Sequence, residues 1–209
     1  WEENAWLLSL ADRHPLIKGV VGWADLTASD LEDRLADLAE QDRFSGVRCG
    51  IVTDEADSDR PHPDFVRGVH FLTAAGLTFD LLVRPPQLPL ARALVEAVPD
   101  QHFILDHIAK PRIKEGILEP WATEIRELAA LPNVACKVSG MVTEADLEAW
   151  TQTDFHPYLD IVFEAFGPDR LMIGSDWPVC RQAASYQLAM GVVEGYIAPF
   201  SKEEKAAVL

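Results

Sequence analysis

The sequence predicts an α/β fold built on a parallel sheet, and three observations predict it. Short apolar segments and longer amphipathic ones alternate six times along the 209 residues, the order that repeated right-handed βα units produce. The short segments are apolar almost without interruption, as strands buried on both faces are. No G-x-G-x-x-G or P-loop pattern marks a nucleotide-binding sheet. A doubly wound sheet and a (β/α)8 barrel both stay open on these grounds.

In chain order, "EENAWLLSLADRHP" reads as a helix and "IKGVVGWADL" as the first strand. "SDLEDRLADLAEQ" follows, with Leu31, Leu35 and Leu38 at helical spacing and Ser29 or Asp30 placed to cap it. "FSGVRCGIV" is the second strand, and "TDEADSDRPHP" a polar loop after it. The helix "PDFVRGVHFLTAAG" ends on Gly76, and "LPLARALVEAVP" stops at Pro99, each a residue that terminates helices. Between and after these come the strands "LTFDLLVR", "HFILDHIA", "VACKVSG" and "RLMIGSD". "EPWATEIRELAALP", "DFHPYLDIVFEAFGP" and "ASYQLAMGVVEGYIA" supply the remaining helices, and "SKEEKAAVL" closes the chain in a helical pattern.

With 48% hydrophobic and 25% charged residues the composition is that of an ordinary globular chain, and its length predicts one domain over residues 1–209. A formal charge of −16 argues against nucleic acid or an anionic membrane as partner. No apolar run approaches the roughly 20 residues that span a bilayer, and no signal peptide is evident. Cys49, Cys136 and Cys180 lie far apart without a C-x-x-C; read as reduced thiols, they predict a cytoplasmic protein. The chain starts at Trp1 inside one helical pattern and stops inside another, so it reads as a fragment of a longer chain.

The strand exits carry the polar residues. Arg48 and Cys49 end the second strand, Asp80 and Arg84 belong to the third, and "LDHIAKP" ends the fourth. Lys137 and Ser139 fall on the fifth, and "RLMIGSDWPVC" delivers Asp176 and Trp177 after the sixth. Strand alternation places Phe103, Leu105 and His107 on one face, and Met172, Gly174 and Asp176 on another. An ionised carboxylate is costly to bury unless it is paired or used. Each residue also has a plainer reading. His107 suits a hydrogen-bonded core histidine, Asp106 a turn cap or an orienting group, and Lys137 with Asp80 a structural ion pair. Arg48 suits a substrate oxygen or a carboxylate, and Trp177 core packing or a pocket wall. Cys136 reads as inert, and His14, His62, His70, His102 and His156 as structural or solvated.

At "FILDHIAKP", "VACKVSGMVTEADLEAW" and "LMIGSDWPVC" the sequence resembles the amidohydrolase superfamily, specifically the amidohydrolase-2 group of lactone hydrolases. "EENAWLLSLADRHPLIKGVVGWADL" is similar to the same group, so the resemblance spans the chain. It implies a (β/α)8 barrel and hydrolysis of a sugar-acid or related lactone. Asp176 then takes a proton from the hydrolytic water, His107 polarises the carbonyl or ligates a metal, Arg48 contacts a substrate oxygen, and Trp177 walls the pocket; Asp80 and Lys137 join the substrate-binding candidates by their place on the strands. The cofactor stays open between one divalent metal such as zinc, held by His107 and Asp176, and none. The resemblance also implies a small-molecule lactone as partner and leaves the oligomeric state open.

Family members begin with a strand bearing H-x-H, and none occurs here. Counted back from the matching motifs, the first strand of this chain corresponds to the family's third, so the resemblance implies that the first two βα units are missing. Cys49 stands where close relatives commonly carry histidine. Six strands alone would leave two open edges, and such a piece is expected to be inactive. A metal-dependent decarboxylase of the same superfamily and a non-catalytic binding barrel are the alternative readings.

Overall fold

The computed structural model describes residues 1–53 and 58–209; residues 54–57, the middle of the expected polar loop, lie outside the described residues. The chain divides into two compact units, Trp1–Leu82 with Leu90–Ile104, and Val83–Pro89 with Leu105–Leu209.

The first unit holds α1 (Glu2–Arg13), β1 (Val20–Gly22), α2 (Leu31–Ala39), β2 (Phe44–Arg48), α3 (Pro63–Ala74) and β3 (Thr78–Leu81). Most of α4 (Leu88–Ala97) and the start of β4 (Phe103–Leu105) belong to it as well. β1 and β2 pair in parallel, as do β2 and β3, with Val47 opposite Phe79 and Arg48 opposite Asp80. The helix-end signal read from sequence acts as expected at α3, where Gly76 takes φ +69° just past the end; the start is capped by His62, read only as structural or solvated, which accepts from the Asp64 amide. At α2 the N-cap is Asp30, but its carboxylate turns to Arg34 (2.6 Å) instead of capping. Phe65, Phe79 and Phe103 form an edge-to-face chain, at centroid distances of 5.8 and 6.2 Å, through the core.

β1 is shorter than its apolar run suggests, for a local reason. The buried Asn4 amide donates to the Trp23 carbonyl (2.7 Å) and accepts from the Trp23 amide (2.9 Å). One side chain from α1 thus takes both backbone groups that would have prolonged the strand.

The second unit contains α5 (Trp121–Ala129), β5 (Val134–Val138), α6 (His156–Phe166), β6 (Leu171–Ile173), α7 (Tyr186–Tyr196) and α8 (Lys202–Val208). β5 and β6 are parallel, with Lys137 opposite Met172. A capping box of Ser201 and Glu204 starts α8. The alternation of strand and helix expected from the sequence therefore holds from α1 to α7. Among the described residues no helix is long and apolar enough to cross a membrane.

Two glycines separate steric fit from helix propensity. A methyl at Gly68 in α3 would run into the Leu26 carbonyl, whereas nothing lies within 4 Å of one at Gly191 in α7. Gly68→Ala is expected to lower unfolding free energy by about 1–3 kcal/mol. Gly191→Ala is expected to raise it by about 0.5–1 kcal/mol. Urea denaturation of both variants checks this; equal shifts would show that packing at Gly68 is not the constraint.

Candidate active site

Two polar residues leave the second unit's strand ends and meet. β4 stops at Leu105 and β6 at Ile173, so His107 and Asp176 lie beyond the strands and not on them, as simple alternation would have it. The backbone turns sharply in both places. His107, Ile108, Ala109 and Lys110 have φ of 54°, 47°, 59° and 49°, and Asp176 has φ 53°. Such left-handed conformations cost L-residues roughly 1–2 kcal/mol each, most of all a β-branched one. Consecutive strained residues persist only when their surroundings hold them, and they cluster where function needs a fixed side chain.

Several contacts hold this turn. Ile108 and Ala109 are fully buried. The Trp121 indole at the start of α5 donates to the Ile108 carbonyl at 2.8 Å, and the Lys110 amide donates to the His107 carbonyl at 2.8 Å. Lys110 Nζ lies 3.6 Å from Glu144. Gly140 follows β5 at φ +66° and lies against His107: a Cβ there would stand 2.8 Å from the histidine Cβ. The packing that aims His107 is therefore made partly by an absent side chain.

The imidazole is bound on both sides. His107 Nδ1 and Ser139 Oγ are 2.8 Å apart, and Nε2 lies 3.4 Å from Asp176 Oδ1. Asp176 Oδ2 is buried and has no hydrogen-bond partner among the described residues. Behind the histidine, fully buried Asp106 receives Lys137 Nζ at 2.8 Å. Lys137 thus has a partner that the sequence had offered only as a turn cap or orienting group.

The other expected site residues are placed as follows. Arg48 and Asp80 belong to the first unit, on paired positions of β2 and β3, Arg48 exposed and Asp80 buried. Arg48 also borders a small groove with Val21, Trp23 and Glu3. Trp177 is 61% exposed, which rules out core packing, and its amide is held by Ser175 Oγ. Sequence reasoning missed the roles of Ser139 and Gly140; the only signal was a serine–glycine pair just past an apolar run.

Electrostatics define the protonation states. Burial pushes His107 below the ordinary histidine range, with Lys110 and Lys137 acting the same way and Asp106 and Asp176 opposing. The imidazole is neutral at pH 7. Burial pushes the Cys49 thiol up to about 12 and the Cys136 thiol higher still, so neither offers a thiolate nucleophile.

Unfolded His107 takes its proton near pH 6.5, the folded one only at lower pH. In that interval the unfolded state binds more protons, so stability falls as pH drops below about 6.5. Thermal melts between pH 7.5 and 5 are expected to show wild type losing more stability than His107→Gln. Parallel losses would show that His107 is not held neutral.

A parallel α/β chain with a buried histidine and an aspartate meeting just past two strand ends has the makings of an enzyme of the barrel class. The comparisons with known proteins agree. The amidohydrolase family model matches residues 1–209. L-fucono-1,5-lactonase of Burkholderia multivorans is 42% identical over 92% of this chain and 68% of its own length. That of Burkholderia ambifaria is 39% identical over 88% and 63%. The chain thus spans about two thirds of the length of these curated relatives. A crystal structure of a Burkholderia multivorans amidohydrolase with bound zinc superposes with TM-score 0.91 and 40% identity over 99% of this chain and 75% of that one. The chain belongs to the amidohydrolase family, a family of hydrolases, and within it to the amidohydrolase-2 lactonase group.

Proposed function

We propose that the protein hydrolyses a lactone of a sugar acid, with Asp176 as general base and His107 as the group facing the carbonyl oxygen. The observation that carries the reading is the contact of His107 Nε2 with Asp176 Oδ1 (3.4 Å), beside a second Asp176 oxygen that is buried and unused. The names of the Burkholderia relatives favour a six-membered sugar-acid lactone and a place in carbohydrate catabolism. The family model and the zinc-bound neighbour match the chain end to end, which supports reading residues 1–209 as part of one barrel domain. The absence of the family's H-x-H strand from these residues supports placing two further βα units before them.

Chemically, Asp176 accepts a proton as water adds to the lactone carbonyl carbon. In the tautomer that the proposal assigns, Ser139 donates to Nδ1 and the neutral imidazole holds its proton on Nε2, where it can donate to the developing oxyanion. Collapse of the tetrahedral adduct breaks the acyl–oxygen ring bond. The ring oxygen then takes the proton back from Asp176 and leaves as the hydroxyl of the product hydroxy acid. The Lys137–Asp106 pair places a fixed cation beside the histidine, where it would contact substrate oxygens. Arg48 and Trp177 enter the proposal as substrate contacts through the resemblance, and Asp80 through its place on β3.

The donor set meets a metal only part of the way. His107 Nε2 and Asp176 Oδ1, 3.4 Å apart, are spaced like two corners of a tetrahedral zinc shell, about 3.3 Å for usual bond lengths. Among the described residues no group of three or more metal-binding side chains occurs, and a catalytic zinc site has at least three protein ligands. No step above runs through a metal. The decarboxylase reading uses the same two residues and gains no observation of its own.

The test is proton release by the full-length protein in weak buffer against a panel of sugar-acid γ- and δ-lactones. Turnover of one or more is the expected result; turnover of none would remove the lactonase reading.

A further inference from the structure

A cavity of about 720 Å³ opens in the second unit, and none of His107, Asp106, Lys137, Ser139 or Asp176 lines it. Its size is that of sites for small organic molecules. The wall has two characters. Trp121 forms a buried part of it, while Ile117 and Leu147 are 39% and 45% exposed, an apolar lining left open to solvent. The polar part is cationic for so acidic a chain: Arg84, Lys110, Arg112 and Lys114 face three carboxylates, Glu115, Glu119 and Glu144. The lining therefore carries one net positive charge on a protein of formal charge −16.

The ion pairs around it differ in strength. Glu144, only 14% exposed, is gripped by Arg84 at 3.2 Å and Lys110 at 3.6 Å, a fixed contact that shapes the cavity. Arg112 and Lys114 are each 60% exposed and meet partners, Glu115 and Asp146, that are themselves about half exposed. Such exposed pairs are worth little and exchange readily for another carboxylate. Arg112 in particular offers a planar fork suited to a carboxylate.

We infer that this cavity is a second ligand site, for a monoanionic carboxylate with an apolar body, such as an aromatic acid. The apolar body lies over Trp121, Ile117 and Leu147, and the carboxylate meets Arg112 and Lys114. The inference does not depend on the lactonase proposal, although Lys110, which lines the cavity, also ends the turn that carries His107.

The test is calorimetric titration of the full-length protein with 1-naphthoate, alongside the neutral 1-naphthamide. Saturable binding of the acid is expected, weaker by about five-fold or more for the amide and for the Arg112→Gln/Lys114→Gln double variant, a factor usual for loss of a charge-assisted contact. Leu147→Glu, at an exposed position, is expected to weaken it as well, and raised salt to do the same. Asp176→Asn is expected to leave it unchanged. Absence of saturable binding, equal binding of acid and amide, or loss of binding in Asp176→Asn would each overturn the inference. The last would place the probe in the candidate active site.

Discussion

Asp176→Asn is expected to lower kcat for lactone hydrolysis by about 10²–10⁴-fold, the usual worth of a positioned general base. The substitution keeps size and shape but removes the ability to hold a proton taken from water. KM is expected to move little, because Asp176 acts on the attacking water and not on substrate binding. The fold is expected to survive, since Oδ2 has no hydrogen-bond partner to lose among the described residues and Oδ1 meets His107 at 3.4 Å. Steady-state kinetics with thermal melts of the same samples check this. A kcat within ten-fold of wild type would remove Asp176 from the proton transfer.

Gly140→Ala is expected to be the most damaging single-methyl change near the site. Its φ of +66° alone costs an alanine about 1–2 kcal/mol. The new Cβ would also meet His107 Cβ at 2.8 Å and Cγ at 2.9 Å. Those atoms belong to a strained turn and cannot withdraw cheaply, so overpacking adds about 1–3 kcal/mol. A combined loss of roughly 2–5 kcal/mol in unfolding free energy is expected, with the imidazole displaced from Ser139 and Asp176. Denaturant melts measure the first effect. Activity at a temperature where the variant is still folded measures the second, with a fall of at least about ten-fold expected from a displacement of a few tenths of an ångström. Wild-type stability and activity would show that the turn has room to yield.

Much of the fold was legible because burial writes itself into periodicity. Apolar runs located all six strands, and Gly76 and Pro99 marked helix ends. β1 was over-extended because the cause of its early end, the Asn4 amide, comes from a different helix. At the site, residue identity outran geometry. His107 and Asp176 stood out as polar groups after apolar runs, and they do meet. Alternation, however, says nothing about four successive left-handed residues, none of them glycine. Those conformations are held by partners distant in sequence: Trp121 on the Ile108 carbonyl, Glu144 on Lys110, and the bare Cα of Gly140. The pairing of Lys137 with Asp106 was likewise a tertiary fact, because sequence spacing does not say which carboxylate a strand lysine meets.

The proposed role of Asp176 as base, and not as nucleophile, is tested most directly by one turnover in H₂¹⁸O. The full-length enzyme is placed in excess over a lactone that it hydrolyses, and the product hydroxy acid and the peptide bearing Asp176 are weighed by mass spectrometry. Attack by water predicts one ¹⁸O in the product carboxylate after the first turnover and none in Asp176. Product without ¹⁸O, together with label in the Asp176 carboxylate, would mean that the aspartate itself attacks the carbonyl, and would contradict the mechanism.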